Sequence, residues 1–264
     1  MVLLSTVPLV AAEPVHASPD ANLGSGEEKG QKKELKISFE EQYHSQWLSK
    51  GGQAYGKQGA FFEIIDLDFF GSGFGAQVIH RHAIGSGYTD KERYDYRPYY
   101  RNQMFKDKPY AMKYDIGVEY EHYPNLSRHK ANTTYEWRFA FSWPNILPKG
   151  FVPGYIAYYE YPAYSGDRYN YITGWVHVFK LDYNMDVPEL LPNPLCLSSE
   201  VAYNDGLNGY AHDWSYATFG LGSKFNITKN LIFTPGLYHQ ITMDESVSQQ
   251  HNITYCILTM RYNF

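Results

Sequence analysis

Residues 110–123 read YAMKYDIGVEYEHY, and their side chains sort by parity. Even positions carry Tyr110, Met112, Tyr114, Ile116, Val118 and Tyr120, while odd positions carry Lys113, Asp115, Glu119 and Glu121. Successive residues of a strand point to opposite faces, so this is a strand with apolar surroundings on one side and wet surroundings on the other. Residues 132–143, NTTYEWRFAFSW, repeat the pattern, with Tyr135, Trp137, Phe139, Phe141 and Trp143 set against Thr134, Glu136, Arg138 and Ser142. Aromatic residues at both ends of such runs match the two girdles of a membrane barrel, whose outside meets lipid and whose lumen is polar.

Similar runs occupy 34–48, 60–70, 73–84, 93–104, 153–162, 169–183, 195–204, 214–226, 230–241 and 252–264. Each has close to the ~10 residues that a tilted spanning strand needs. The expected fold is therefore all-β: a transmembrane antiparallel up-and-down barrel of about twelve strands over residues 34–264, with no second domain. A soluble sandwich or lipocalin-like barrel is the competing reading, and its interior would be overfilled by so many bulky aromatic faces.

Connections between the runs differ in length. FGSG, KDKP and NITK are short, whereas SKGGQAYGKQG, IGSGYTDKER, NDGLNGYAHD and TMDESVSQQ are longer. Short periplasmic turns and longer outer loops make this asymmetry, which places both termini in the periplasm. PNILPKG and MDVPELLPNP belong to the periplasmic set although they are longer and proline-rich. The last residues, CILTMRYNF, keep the alternation to the end, with Leu258, Met260, Tyr262 and Phe264 on the apolar parity.

Composition agrees with a membrane location. Aromatic residues make up 17% of the 264 residues and include 26 Tyr, a side chain suited to sites where the ring is dry and the hydroxyl wet. After the N-terminus no stretch approaches the ~20 apolar residues of a spanning helix. The mean hydropathy of −0.48 suits a barrel, because half of each strand is polar. A net charge of −5 and the lack of a basic patch exclude nucleic acid as a partner. Cys196 and Cys256 lie in predicted strands without metal-ligand spacing. Residues 1–17, MVLLSTVPLVAAEPVHA, read as an export signal or, alternatively, a disordered apolar tail. Residues 18–33 read as a flexible periplasmic leader.

A charge on the lipid face costs roughly 2–4 kcal/mol for Lys or Arg at the midplane, so strand charges are expected to face inward. Parity then assigns to the lumen Asp66, Asp68, Arg81, Arg93, Asp95, Arg97, Arg101, Lys113, Asp115, Glu119, Glu136, Arg138, Glu160, Lys180, Asp182, Glu200, Lys224 and Arg261. Two readings stay open. The charges form a selectivity lining in which Arg93, Arg97 and Arg101 make a positive ladder, or they form a salt-bridged filling of a narrow barrel.

His80 and His82 lie two apart and so share a face, a spacing that holds a metal only with help from another strand. They are read as interface histidines, and no metal, cofactor or catalytic residue is assigned. His44 and Ser45 are adjacent, point to opposite faces and form no catalytic pair.

Residues 198–247 resemble the C-terminal half of TorF-type porins of Gram-negative outer membranes. The likeness rests on Tyr203, Asn204, Asp205 and Gly206, then Trp214 and Ser215, then Thr234, Pro235 and Gly236, and the terminal Phe264. YHSQWLSKGG at 43–52 loosely resembles the first strand and loop of that family. The resemblance implies a barrel, a presumed pore and no catalytic residues. It also implies that residues 256–264 are read by the barrel-assembly machinery.

The functions expected are a passive outer-membrane channel for small polar solutes or ions, a closed scaffold barrel of the envelope, or a lipid-modifying barrel enzyme. The last requires a Ser or Asp within reach of a His near the outer rim. Partners are outer-membrane lipid, the assembly machinery and, as alternatives, further copies of the chain or other envelope proteins.

Overall fold

The computed structural model describes residues 34–85, 92–124, 133–164, 172–187, 193–248 and 251–264. The export signal and leader expected over residues 1–33 lie outside the described residues.

Twelve strands form the wall: β1 (Lys36–His44), β2 (Ala60–Asp68), β3 (Phe74–Ala83), β4 (Glu92–Met104), β5 (Met112–His122), β6 (Thr134–Ser142), β7 (Phe151–Pro162), β8 (Gly174–Met185), β9 (Leu195–Asp205), β10 (Asp213–Ser223), β11 (Leu231–Thr242) and β12 (Ile253–Asn263). Each pairs antiparallel with its sequence neighbours, and β12 returns to β1 through Ser38↔Asn263 to His44↔Ile257. The sheet is thereby closed and leaves no free edge, the condition for spanning a bilayer with strands.

All the short connections and both chain ends of the barrel lie at one end, including the proline-rich 143–150. The longer connections lie at the other end, here called the loop side. The C-terminal strand is paired to its last residue, with the Phe264 amide donating to the Ile37 carbonyl at 3.0 Å. Leu258, Met260, Tyr262 and Phe264 all face outward and are exposed.

The outer wall is apolar in its middle, with Phe39, Ile65, Val78, Phe179, Leu221, Leu237 and Leu258 exposed. Aromatic residues pack into bands above and below it. Tyr96, Tyr120, Tyr135 and Tyr161 neighbour one another toward the loop side, and Tyr100 with Tyr114, Phe141 with Tyr155 and Phe151 with Tyr183 pair toward the turns.

Two expectations need correction. Not every strand charge turns inward: Glu41 and Glu63 lie on the outer face, opposite one another in register, near the loop-side band. Both lie within four residues of the loop-side ends of their strands, where a charge on a barrel's outer face costs less than at its midplane. The first strand ends at His44 rather than at 48, and residues 45–59, which include the expected outer loop 49–59, turn into the barrel. Trp47, Leu48 and Tyr55 are 0%, 1% and 1% exposed, because only the barrel interior offers these apolar side chains a dry surface.

Candidate functional site

The barrel interior is built from alternate residues of every strand, and its charges are arranged in two tiers. Toward the turns, Asp115 of β5 accepts from Arg97, accepts from Nε of Arg101 at 2.6 Å and lies 3.6 Å from Arg138. Arg101 also donates to Asp66 at 2.9 Å, and Arg97 donates to Gln77 at 2.8 Å. Toward the loops, Arg93 donates to Asp95 at 2.6 Å, to Glu119 at 3.1 Å and to Glu121 at 2.7 Å, with Arg81 2.9 Å from Asp95.

The three arginines of β4 do stand in one column, yet each meets carboxylates of β2, β4 or β5. The column is neutralised where it stands. Register, not sequence distance, makes this possible, since β4 and β5 bring Arg101 opposite Asp115 and Asp95 opposite Glu121.

The hairpin at 45–59 folds into the loop-side half of the barrel. Leu48 pairs with Gln53 and Ser49 with Gly52, leaving Lys50 and Gly51 as a two-residue turn. Both adopt positive φ, 47° and 89°, as a tight hairpin turn of this hand requires. At the tip Lys50 forms an ion pair with Glu136 and another with Glu160 at 2.5 Å, on β6 and β7. The Gly51 carbonyl accepts from Gln240 of β11 at 2.8 Å and from Ser248 at 3.1 Å.

At its base Trp47 packs edge-on against Tyr55 and Phe62, and the guanidinium groups of Arg81 and Arg93 lie 5.4 and 5.5 Å from its ring. The hairpin therefore reaches from the wall of β2 and β3 to that of β10 and β11. A second apolar group on the inner face of β7–β10, Ile156, Tyr158, Val176, Val178, Ala202 and Tyr216, is buried with Leu207 from the next connection.

Exposure falls along the axis accordingly. Side chains of Arg101, Arg138 and Asp115 are 31%, 18% and 17% accessible, whereas those of Arg81, Asp95 and Glu160 are 1%, 0% and 1%. The turn-side half is a wet charged vestibule, and the loop-side half is packed.

The strand residues assigned to the lumen by parity that form Lys or Arg ion pairs meet inside the barrel, with one another, with Glu121 or with Lys50. Lys224 sits in the β10–β11 connection rather than on a strand, and Arg261 donates to Ser38 at 3.1 Å. Lys180 stands opposite Glu200, with Lys113 and Asp182 nearer the turns. Asp68 does different work: its carboxylate accepts from the Gly71 amide at 2.8 Å and shapes the β2–β3 turn.

Lys50 and Glu121 were missed. Glu121 follows the same alternation as Glu119 and was legible, whereas Lys50 sits in a polar connection with no periodicity to place it. On the outer rim Asp205 forms a hydrogen bond with His212 and lies 3.8 Å from His177, which is itself 2.7 Å from the Tyr155 hydroxyl.

A closed, twelve-stranded, charge-lined barrel with outward aromatic bands is the architecture of outer-membrane porins, and comparison with solved structures finds it there. The chain is similar to the KdgM porin in complex with disordered oligogalacturonate, with TM-score 0.52 and 12% identity over 87% of this chain and 99% of that one. It is also similar to the NanC porin, with TM-score 0.50, 11% identity, and 86% and 98% of the two chains covered. An outer membrane channel from Pseudomonas putida F1 matches with TM-score 0.51 and 9% identity over 87% and 95%. At these identities the likeness shows a shared fold. No protein-family model matches the chain, and no curated protein matches it.

Proposed function

We propose that this chain is an outer-membrane channel for passive diffusion of small polar solutes or ions, narrowed at its loop side by the hairpin 45–59. The observation that carries this reading is the charged vestibule on the turn side, whose Arg101, Asp115 and Arg138 remain partly accessible inside a closed barrel. In the bilayer the termini and short turns face the periplasm, and the vestibule opens there. The TorF-type likeness of residues 203–236 supports the same class.

Planar-bilayer recording tests it. Refolded wild-type protein is expected to give small unitary conductance steps, and a variant with residues 46–57 replaced by a short Gly-Ser turn larger ones. Absence of steps from both proteins overturns the channel reading.

The tight packing of the hairpin favours a second reading, a closed scaffold barrel. It predicts silence in both recordings together with a marked loss of stability on hairpin removal. The rim contact between Asp205 and His212 meets the condition set for a barrel enzyme, because an Asp-oriented His can activate a water. That reading requires hydrolysis of lipid ester bonds that Asp205→Asn abolishes.

A further inference from the structure

The outer wall carries a polar cluster that the channel reading does not use. In register across the sheet, Glu41 of β1 stands opposite Glu63 of β2, Glu63 opposite His80 of β3, and His80 opposite Tyr94 of β4. His82, one step nearer the loops, shares the face of His80.

Two carboxylates directly opposite one another repel, and a lipid-facing wall is a poor place for either. The imidazoles are held rather than loose: His80 stacks on Tyr94 at 4.5 Å and on His82 at 5.2 Å, and His82 packs against Phe61 at 5.7 Å. Nδ1 of His80 lies 2.8 Å from a Glu63 oxygen. Nε2 of His80 and Nδ1 of His82 have no hydrogen-bond partner. One ligand atom from each of Glu63, His80 and His82 lies within 4.8 Å of the other two.

We propose that Glu63, His80 and His82 form a binding site for a divalent transition metal of the zinc class on the outer wall of the barrel. Two imidazoles and one carboxylate are the donor set of three-ligand zinc sites, which leave a further coordination position open. Such borderline donors prefer zinc, nickel or copper to the oxygen-loving magnesium and calcium. The open position faces outward, since the Glu63 side chain is 45% accessible, and a water completes it. Binding to the neutral imidazoles sets a cation beside Glu63, with each ring's remaining proton on its other nitrogen, and offsets the repulsion between Glu41 and Glu63. The sequence showed only the His-x-His half, because the third ligand comes from the neighbouring strand.

Full-length folded protein, stripped with a chelator in detergent, is titrated with Zn2+ in a calorimeter and separately with Co2+ by visible absorption. One Zn2+ per chain is expected, undiminished by millimolar Mg2+ or Ca2+. The step should vanish in His80→Gln/His82→Gln, weaken in Glu63→Gln and persist in His212→Gln. Heat-modifiable migration confirms that each variant is folded. Should the double variant fail to fold, Zn2+ protection of His80 and His82 in the wild type from diethylpyrocarbonate, mapped by mass spectrometry, gives the same answer. An identical isotherm for wild type and double variant, no Zn2+ binding by the wild type, or no protection overturns the proposal.

Discussion

At the scale of single residues, Ile116 and Asp115 show how sharply a strand separates its two surroundings. Ile116 faces out from the middle of β5, and Arg in its place would set a charge against lipid. We expect a loss of roughly 2–4 kcal/mol in unfolding titrations in lipid vesicles. Parity alone would let Asp115 tolerate Arg, since it faces the lumen. The structure argues against it, because Asp115 is the shared partner of Arg97, Arg101 and Arg138, and Arg in its place would set four cations beside Asp66 alone. Asp115→Arg should destabilise the barrel by about 3 kcal/mol or more, and Asp115→Asn by less. Equal stability of Asp115→Arg and wild type would show that the vestibule is solvated well enough to screen the cluster.

At the scale of elements, the hairpin 45–59 is the segment on which the proposed channel and the scaffold reading part. Its turn depends on Gly51, whose φ of 89° suits glycine and whose added Cβ would stand 2.4 Å from the Tyr216 ring. Gly51→Ala should cost more than the ~1 kcal/mol of backbone strain alone, because the tip must also lift from β10. We expect larger conductance steps and faster hydrogen exchange at residues 47–55, and unchanged exchange there would disprove the docking. Lys50→Ala should act in the same direction, since it leaves Glu136 and Glu160 facing one another without their cation.

For the molecule as a whole, closure through β12 and β1 makes the last strand part of the wall. Leu258, Met260, Tyr262 and Phe264 form an outward apolar row, with the rings of Tyr262 and Phe264 in edge contact at 4.9 Å. We expect deletion of Phe264 to lower the amount of heat-modifiable folded protein in the outer membrane while leaving synthesis unchanged. Equal folded amounts from both genes would remove the terminal aromatic from any role in assembly.

The sequence by itself determined the class of fold, the strand count and the face of nearly every strand residue. The reason is local: period-2 alternation follows from backbone geometry, and a closed barrel with an apolar outer wall and a polar lumen repeats it along each strand. Only the tertiary structure decided which charges meet, that the positive column of β4 is neutralised, that Glu63 joins His80 and His82, and that residues 45–59 fold inward. These depend on register between strands and on contacts across the barrel, made by residues far apart in the chain. A connecting segment carries no periodicity that could announce them. Trp47 and Leu48 read as the end of the first strand run, and only their burial with Tyr55 inside the barrel shows that they belong to the hairpin.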